Sequence, residues 1–276
     1  GEDMTKRERK CGALTALFLL VSLLTGCAEK KASTELFAMD TVMQLTAYGR
    51  YAEQALSVCE GELAGLDAKL SAQRAHSEIA DINAGGTCED SETLEVLSRA
   101  LEIAQRTDGA YDPTVYPLMR LWGFGTEDAH VPQETELAEA MKAVGYEKLP
   151  AVRAPYRLPE GMAIDPGGIG KGFAAQKLRE SLEGQGISSA VLSLGGNVVL
   201  IGQKPDGSDW TVGLQDPEED GCFGYVSASN VSVVTSGGYQ RYFEENGRRY
   251  CHILDPETGY PAESGLASVT VVSRDD

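Results

Sequence analysis

The glycine-rich stretch at residues 163–172, which reads AIDPGGIGKG, has the residue types and spacing best suited to chemistry. A helical pattern follows it directly, from Phe173 to Leu182, so the stretch is predicted to turn through its glycines into a helix. The first amides of a helix lack internal partners and carry a partial positive charge. A loop without side chains in front of them can admit a phosphate closely. We therefore expect a phosphorylated ligand here, with Lys171 as the nearest formal positive charge.

Three other interpretations of this stretch can be compared by spacing. A Walker A loop needs glycine five residues before its Gly-Lys pair and serine or threonine after it, but those positions hold Asp165 and Gly172. A dinucleotide-binding fingerprint matches residues 170–175 only in part, because residues 191–196 contain no acidic partner for a ribose. A glycine turn that merely lets a strand pack on a helix stays open. Packing alone does not require a charged pair such as Asp165 and Lys171.

Composition limits the kind of protein and partner. The chain has 276 residues, 42% of them apolar, which is enough for one large domain. Its formal charge of −18 and its pI near 4.6 disfavour nucleic acid as a partner, since that binding depends on lysine and arginine. An acidic protein that binds phosphate must concentrate positive potential locally, through amides, a lysine or a metal cation.

The first residues are predicted to be a targeting segment rather than part of the fold. A basic run at Lys6 to Lys10 precedes an apolar run from Ala13 to Leu24, and the letters LTGC follow. These last residues resemble a bacterial lipobox, which makes 1–26 a lipoprotein signal peptide and Cys27 the lipidated residue. An ordinary cleaved signal or a small anchor helix is the alternative. We expect an extracytoplasmic protein, lipid-anchored to a bacterial membrane, with residues 27–35 as a tether.

Hydrophobic periodicity predicts an α+β fold with largely antiparallel sheets, because strands and helices alternate irregularly and hairpins are frequent. The predicted helices cover Tyr51–Leu70, a segment from Asp90 or Ser91 to Asp108, and Glu134–Val144. The predicted strands cover 35–48 as one strand or a bent pair, 190–202 with an interruption at Gly195 and Gly196, 210–214, 231–235 and 270–273. A further hairpin is predicted around Asn246 and Gly247, joining 239–243 to 250–254.

Aromatic, proline and glycine residues are concentrated between Gly109 and Gly125. Such a segment suits a loop wall against a flat ring system, and it equally suits an aromatic mini-core under a long loop. Four cysteines remain after Cys11 and Cys27, and they form no Cys-x-x-Cys pair that would indicate zinc. Cys59 shares a helical face with leucines, so we expect it in the core. The sequence does not show whether any cysteines are paired.

Five stretches, in order along the chain, resemble the bacterial FAD:protein FMN transferases, the ApbE family formerly described as thiamine biosynthesis lipoproteins. They are Phe37 to Thr41, Gly109 to Thr114, Asp165 to Gly172, Thr235 to Tyr239 and His252 to Gly259. The resemblance implies a single T-fold-related α+β domain over residues 36–276. It also implies an enzyme that splits the pyrophosphate of FAD with Mg²⁺, attaches FMN to a threonine hydroxyl of a client flavoprotein and releases AMP. Such a client would be, for example, a subunit of a membrane redox complex.

The resemblance also assigns site residues. FAD contacts are implied for Met39, Ala110, Tyr111, Asp112, Asp165, Lys171, Ser236, Gly237 and Ile253. Gln73 occupies a position where family members often have an aromatic residue against the flavin. The carbonyl of Gly168 is implied to bind Mg²⁺, and His252 is implied to be catalytic. A histidine with a purely structural role is the alternative for His252, while His76 and His130 are expected at the surface.

A departure from the family at the end of the given sequence leaves a second function open. The family continues past the strand at 268–273 into a helix whose aspartate and threonine complete the magnesium shell, and the sequence given ends at Asp276. From this we expect weak Mg²⁺ binding and reduced transfer by these 276 residues. A non-catalytic FAD-binding lipoprotein, or an FAD pyrophosphatase, is therefore the alternative. A third candidate function, a Rossmann-type oxidoreductase, is supported only by the partial dinucleotide-binding fingerprint at residues 170–175.

Overall fold

The computed structural model describes residues 30–274. The predicted signal peptide, Cys27, Asp275 and Asp276 lie outside the described residues. The helices are α1 (Ala52–Leu70), α2 (Glu78–Asn83), α3 (Ser91–Arg106), α4 (Tyr116–Trp122), α5 (Glu134–Met141) and α6 (Gly167–Gly184). The strands are β1 (Lys31–Ala38), β2 (Thr41–Tyr48), β3 (Ala190–Ser193), β4 (Asn197–Ile201), β5 (Trp210–Gln215), β6 (Cys222–Ala228), β7 (Val231–Gly237), β8 (Tyr242–Glu245), β9 (Arg248–Cys251) and β10 (Ser268–Ser273). None of the helices in the described range is long and apolar enough to cross a membrane.

The strands form one six-stranded sheet and two hairpins, which confirms the predicted α+β class. The order in the sheet is β1-β2-β3-β4-β7-β10, and every neighbouring pair is antiparallel. Helices α1 and α6 cover one face, and the β5–β6 hairpin packs its apolar side on the other. The site described below lies at the end of the sheet where α6 begins.

The main core lies between the sheet and the two long helices. The predicted stripe of α1 is confirmed, since Leu56, Cys59, Leu63, Leu66 and Leu70 are all buried. Leu178 of α6 and Leu45 and Leu192 of the sheet are fully buried in the same cluster. Each fully buried leucine contributes about 1.5–3 kcal/mol relative to an exposed one. This core holds the start of α6 in a fixed position against the sheet.

The strand pair predicted as one alternative at 35–48 is confirmed as β1 and β2, but its predicted start and the single strand predicted at 190–202 are wrong. The first strand begins at Lys31, inside the predicted tether 27–35, and the chain reverses at Met39 and Asp40, which have φ values of 49° and 59°. Residues 190–202 form a hairpin of two strands rather than one interrupted strand. Gly195 turns the chain with φ 63°, and a Cβ on it would lie 2.4 Å from Thr41 Oγ1. Backbone freedom and a close contact therefore both require glycine there.

The start of α6 also differs from the prediction. The helix begins at Gly167, so the glycines form its first turns instead of a loop before it. Glycine costs about 1 kcal/mol in a helix interior, which is why the pattern indicated a loop. Local contacts stabilise this turn, because Asp165 Oδ1 accepts from Gly167 N at 2.7 Å and the Pro166 carbonyl accepts from Gly170 N at 2.9 Å.

The end of the aromatic segment after α3 forms a mini-core, which was one of its two predicted roles. Trp122 is fully buried and its ring contacts those of Phe124, Phe243, Tyr250 and Tyr260. Its indole N–H donates to the Gly259 carbonyl at 2.8 Å. These contacts anchor the β8–β9 hairpin and the turn after it to α4. They fix the position of His252, which lies between that hairpin and that turn.

The four described cysteines are all free thiols. Cys59 is fully buried in the main core, as predicted, and Cys88 is buried as well. Burial raises the pKa of the Cys59 thiol to about 12. Cys59 is therefore an apolar packing residue that stays protonated at neutral pH.

Candidate functional site

The first turn of α6 presents a surface without side chains against an aromatic ring. A Cβ on Gly168 would lie 2.7 Å from Cε2 of Tyr111, and a Cβ on Gly167 would lie 2.9 Å from Asp165 Oδ1. A Cβ on Gly170 or Gly172 would meet nothing within 4 Å. Steric contact therefore requires glycine at 167 and 168, where Tyr111 and Asp165 approach the helix.

Fewer free amides are available here than the predicted loop would offer. Gly167 N donates to Asp165, while Ile169 N and Gly170 N both donate to the Pro166 carbonyl at 2.9 Å. Within the described residues, only Gly168 N lacks an acceptor in this turn. The first turn can therefore give one main-chain hydrogen bond to an anion, and further positive charge must come from side chains.

Tyr111 carries a polar atom that has no partner in the described part of the chain. Its hydroxyl is buried without a hydrogen bond, and burial raises the pKa of this phenol well above its ordinary value. Neutral Tyr111 can therefore donate to a ligand. Its neighbour Asp112 is only 5% exposed, and its carboxylate accepts from Thr114 N, Thr114 Oγ1 and Tyr146 N at 2.6–2.9 Å. Asp112 therefore holds the loop that positions Tyr111 through these three hydrogen bonds.

Asp165 lies two residues before α6 and Lys171 is the fifth residue of the helix, whereas the sequence predicted both in a stretch before the helix. Asp165 N donates to the Pro113 carbonyl at 2.8 Å, which ties α6 to the loop after Asp112. Burial raises the pKa of the Asp165 carboxyl, although Gly167 N–H and the charges of Lys171 and Arg241 oppose the rise. Burial and the charge of Arg241 lower the pKa of Lys171. Lys171 forms no hydrogen bond or ion pair within residues 30–274, so its ammonium remains available to an anion.

His252 is held by one carbonyl group. The Arg241 carbonyl accepts from His252 N at 3.1 Å and lies 3.2 Å from His252 Nδ1. A carbonyl only accepts, so Nδ1 carries the proton and Nε2 is the bare nitrogen of the neutral ring. Burial lowers the pKa of His252, and the charges of Arg241 and Lys171 lower it further, against the effect of the carbonyl. Neutral His252 can therefore accept a proton at Nε2. His76 and His130 are exposed, as predicted.

Arg241 is a site residue that the sequence analysis did not identify. Its Nη2 donates to the Asp40 carbonyl at 2.9 Å, so it links the segment before β8 to the β1–β2 turn. The predicted turn at Asn246 and Gly247 could have identified Arg241 from the sequence. A two-residue turn there pairs Tyr242 with Cys251, as observed, and places Arg241 opposite His252 one step further along.

The remaining predicted residues surround this centre. Met39 N donates to Asp67 Oδ1 at 2.8 Å, which fixes the β1–β2 turn against α1. Gln73 and Ala110 are exposed on loops, Ile253 is 38% exposed directly after His252, and Ser236 and Gly237 end strand β7. In the described range, no side-chain hydrogen bond connects these residues to Lys171 or His252. Their proposed contacts with a ligand stay predictions.

The described residues do not assemble a magnesium site by themselves. Between residues 30 and 274, no three His, Cys, Asp or Glu side chains come together in a way that could hold a metal ion. Gly168 lies in the first turn of α6, where a carbonyl points along the helix axis toward the fourth residue on. Magnesium requires near-octahedral oxygen coordination, and this carbonyl with Asp165 supplies only part of it.

Comparison with known proteins places this geometry in one family. The family model described as ApbE family matches residues 39–276. The FAD:protein FMN transferase of Treponema pallidum is 36% identical over 224 residues, which cover 73% of this chain and 62% of that relative. The protein of the same name from Klebsiella pneumoniae is 34% identical over 75% of this chain and 66% of its own length. The chain thus spans somewhat less than two thirds of these curated relatives.

Solved structures agree with the sequence relatives. The ApbE protein of Thermotoga maritima has a TM-score of 0.82 and 33% identity, over 89% of this chain and 82% of its own. The apo form of the Pseudomonas stutzeri flavinyl transferase ApbE has a TM-score of 0.80 and 28% identity, over 91% and 82%. The predicted family and fold class are confirmed.

Proposed function

The chain belongs to the ApbE family, and on that basis we propose that it transfers FMN from FAD to a threonine hydroxyl of a client flavoprotein and releases AMP. One observation carries the proposal. His252 has a bare Nε2, and its pKa is lowered by the charge of Lys171, a cation on α6 without an ion pair in the described residues. A proton acceptor beside a phosphate-binding cation is what attack of a hydroxyl on a diphosphate needs.

The residues at the first turn of α6 fit FAD as the substrate. The buried Tyr111 hydroxyl has no partner among the residues that the structure describes, and the bare surface of Gly168 lets the Tyr111 ring lie directly against the helix. A flavin or adenine ring beside Tyr111 gains stacking contact, and its polar edge gives the hydroxyl a hydrogen-bond partner. Lys171 and the free amide of Gly168 then serve the diphosphate.

The proposed reaction balances without a further reactant. The threonine Oγ attacks the phosphorus of the FMN half, and its proton passes to His252 Nε2. The Oγ–P bond forms while the bond from that phosphorus to the oxygen of the AMP half breaks. AMP leaves with the electron pair, and the product is an FMN phosphoester of threonine. Mg²⁺, when bound, neutralises charge on the diphosphate, and the requirement for it is part of the proposal.

The proposal also includes where the protein is located and which partner it modifies. A lipidated Cys27 would hold the domain at the outer side of a bacterial membrane. The client would then be an extracytoplasmic protein with an acceptor threonine, such as a subunit of a membrane redox complex. The negative charge of −18 is consistent with a protein client and not with nucleic acid.

The test is flavin transfer in a mixture of the protein, FAD, Mg²⁺ and a client that contains an acceptor threonine. We expect a fluorescent client band in a denaturing gel, absent with EDTA and absent for a client whose threonine is alanine. FAD binding without labelling would support the non-catalytic lipoprotein. Conversion of FAD to FMN and AMP without labelling would support the pyrophosphatase.

A further inference from the structure

The guanidinium of Arg241 has more donors than the fold uses. The residue is exposed, and its side chain makes one hydrogen bond within residues 30–274, from Nη2 to the Asp40 carbonyl. It forms no ion pair within the described range, although the carboxylates of Asp40 and Asp165 are close by. A guanidinium has five N–H donors in a planar fork, which matches the oxygens of a phosphate. Four of them remain available.

Arg241 and Lys171 approach the same space from different elements. Lys171 projects from α6, while Arg241 precedes β8 and reaches the β1–β2 turn. The two charges lie close enough to act on the same groups. Arg241 lowers the pKa of Lys171, and both cations lower the pKa of His252. Lys171 and Arg241 repel each other, and the carboxylates of Asp40 and Asp165 oppose this effect without forming an ion pair with either cation in the described residues. An anionic ligand between the two cations would be attracted by both. A diphosphate offers one phosphate to each, and a monophosphate does not.

We propose that Arg241 binds the diphosphate of FAD opposite Lys171, and that this second cation makes the site select FAD over FMN and riboflavin. The inference rests on the proposed function, because it assigns a recognition residue for the same substrate. Arg241 therefore has two separable roles. Its carbonyl holds His252 Nδ1 and its guanidinium holds the substrate.

This separation makes a side-chain substitution informative. Arg241→Gln removes the cation but keeps the carbonyl that orients His252. The matched control is Arg249→Gln on β9, which makes the same charge change in the same hairpin. Arg249 pairs with Glu244 at 3.3 Å and lies over the Tyr242 ring. Arg241→Lys keeps the charge without the planar fork, and it serves if the glutamine variant does not fold.

The experiment measures the affinity of each variant for FAD, FMN and riboflavin from flavin fluorescence, at two salt concentrations and constant Mg²⁺. We expect Arg241→Gln to weaken FAD binding about 10- to 100-fold, FMN binding less, and riboflavin binding not at all. Arg241→Lys should fall between it and the wild type. The FAD affinity of Arg241→Gln should depend less on salt than that of the wild type. Arg249→Gln should match the wild type throughout.

Two results overturn the inference while the proposed function stands. One is wild-type FAD affinity in Arg241→Gln. The other is an equal loss of FAD and riboflavin affinity, which would make Arg241 a structural part of the pocket. A wild-type protein that binds no FAD would instead contradict the proposed function, and the inference with it.

Discussion

The two ends of helix α6 differ in what surrounds them. At the C-terminal end, Ala174, Leu178 and Leu182 are fully buried in the main core. At the N-terminal end, Gly167 and Gly168 are exposed. Tyr111 lies against Gly168, and Arg241 lowers the pKa of Lys171, although both residues come from distant parts of the chain. The packed end needs large apolar side chains, while the binding end needs their absence. One helix can thus be rigid at one end and leave room for a ligand at the other.

The largest expected effect separates chemistry from packing at the binding end. His252→Ala should lower the transfer rate about 10²- to 10⁴-fold, with little change in FAD affinity or stability, because it removes the proton acceptor. In the wild type, the rate should rise with pH through the His252 pKa, which lies below its ordinary value, and then level off. The variant should lack that rise. A loss of FAD binding as large as the loss of rate would make His252 a pocket residue only.

The packed end should show the opposite pattern. Leu178→Ala should lower the free energy of unfolding by about 2–5 kcal/mol, since it leaves a cavity in the main core. Urea denaturation measures this, and Glu180→Ala on the exposed side should change stability by less than about 0.5 kcal/mol. FAD affinity of folded Leu178→Ala should match the wild type. A parallel fall in affinity would show that the two ends are coupled.

The same contrast explains what could be predicted from the sequence. The apolar face of α6 repeats every four residues, so its packed half could be recognised locally. The start at Gly167 could not, because helix propensity disfavours glycine, and the stabilising contact of Asp165 with Pro113 joins residues far apart. Helix α1 and the Asn246-Gly247 hairpin were predictable for the same local reason.

Site residues divide in the same way. Asp165 and Lys171 could be chosen by chemistry, since charged residues in a glycine run have no packing role. The ligand contact of Asp112 stays a prediction, and its bonds to Thr114 and Tyr146 add a structural role that only the folded chain reveals. Arg241 could be identified only by extending the register of the predicted hairpin by one residue, as far as His252. That inference combines two separate predictions, the hairpin and the catalytic histidine.

Lys171→Glu tests whether FAD affinity depends on a positive charge at this particular position of α6. FAD affinity should fall by about 2–4 kcal/mol, because a charge-assisted contact is replaced by repulsion. Lys177→Glu makes the same charge change a little further along α6, where Lys177 pairs with Glu95 at 3.1 Å. That control should lower FAD affinity much less. Titration of flavin fluorescence gives both values, and equal losses would mean that only net charge matters.

The smallest effect compares two glycines of one helix, four residues apart. Gly168→Ala places a methyl group 2.7 Å from the Tyr111 ring, so the ring must move, at a cost of about 1–3 kcal/mol in stability or FAD binding. Gly172→Ala meets nothing within 4 Å and should raise stability by about 0.4–1 kcal/mol, because alanine loses less backbone entropy in a helix. Thermal unfolding with and without FAD distinguishes the two. The opposite signs matter more than the sizes, since both substitutions add the same atom to the same helix. If both variants were stabilised, Tyr111 would not be held against Gly168, and the ring proposed to stack on FAD would lack a fixed position.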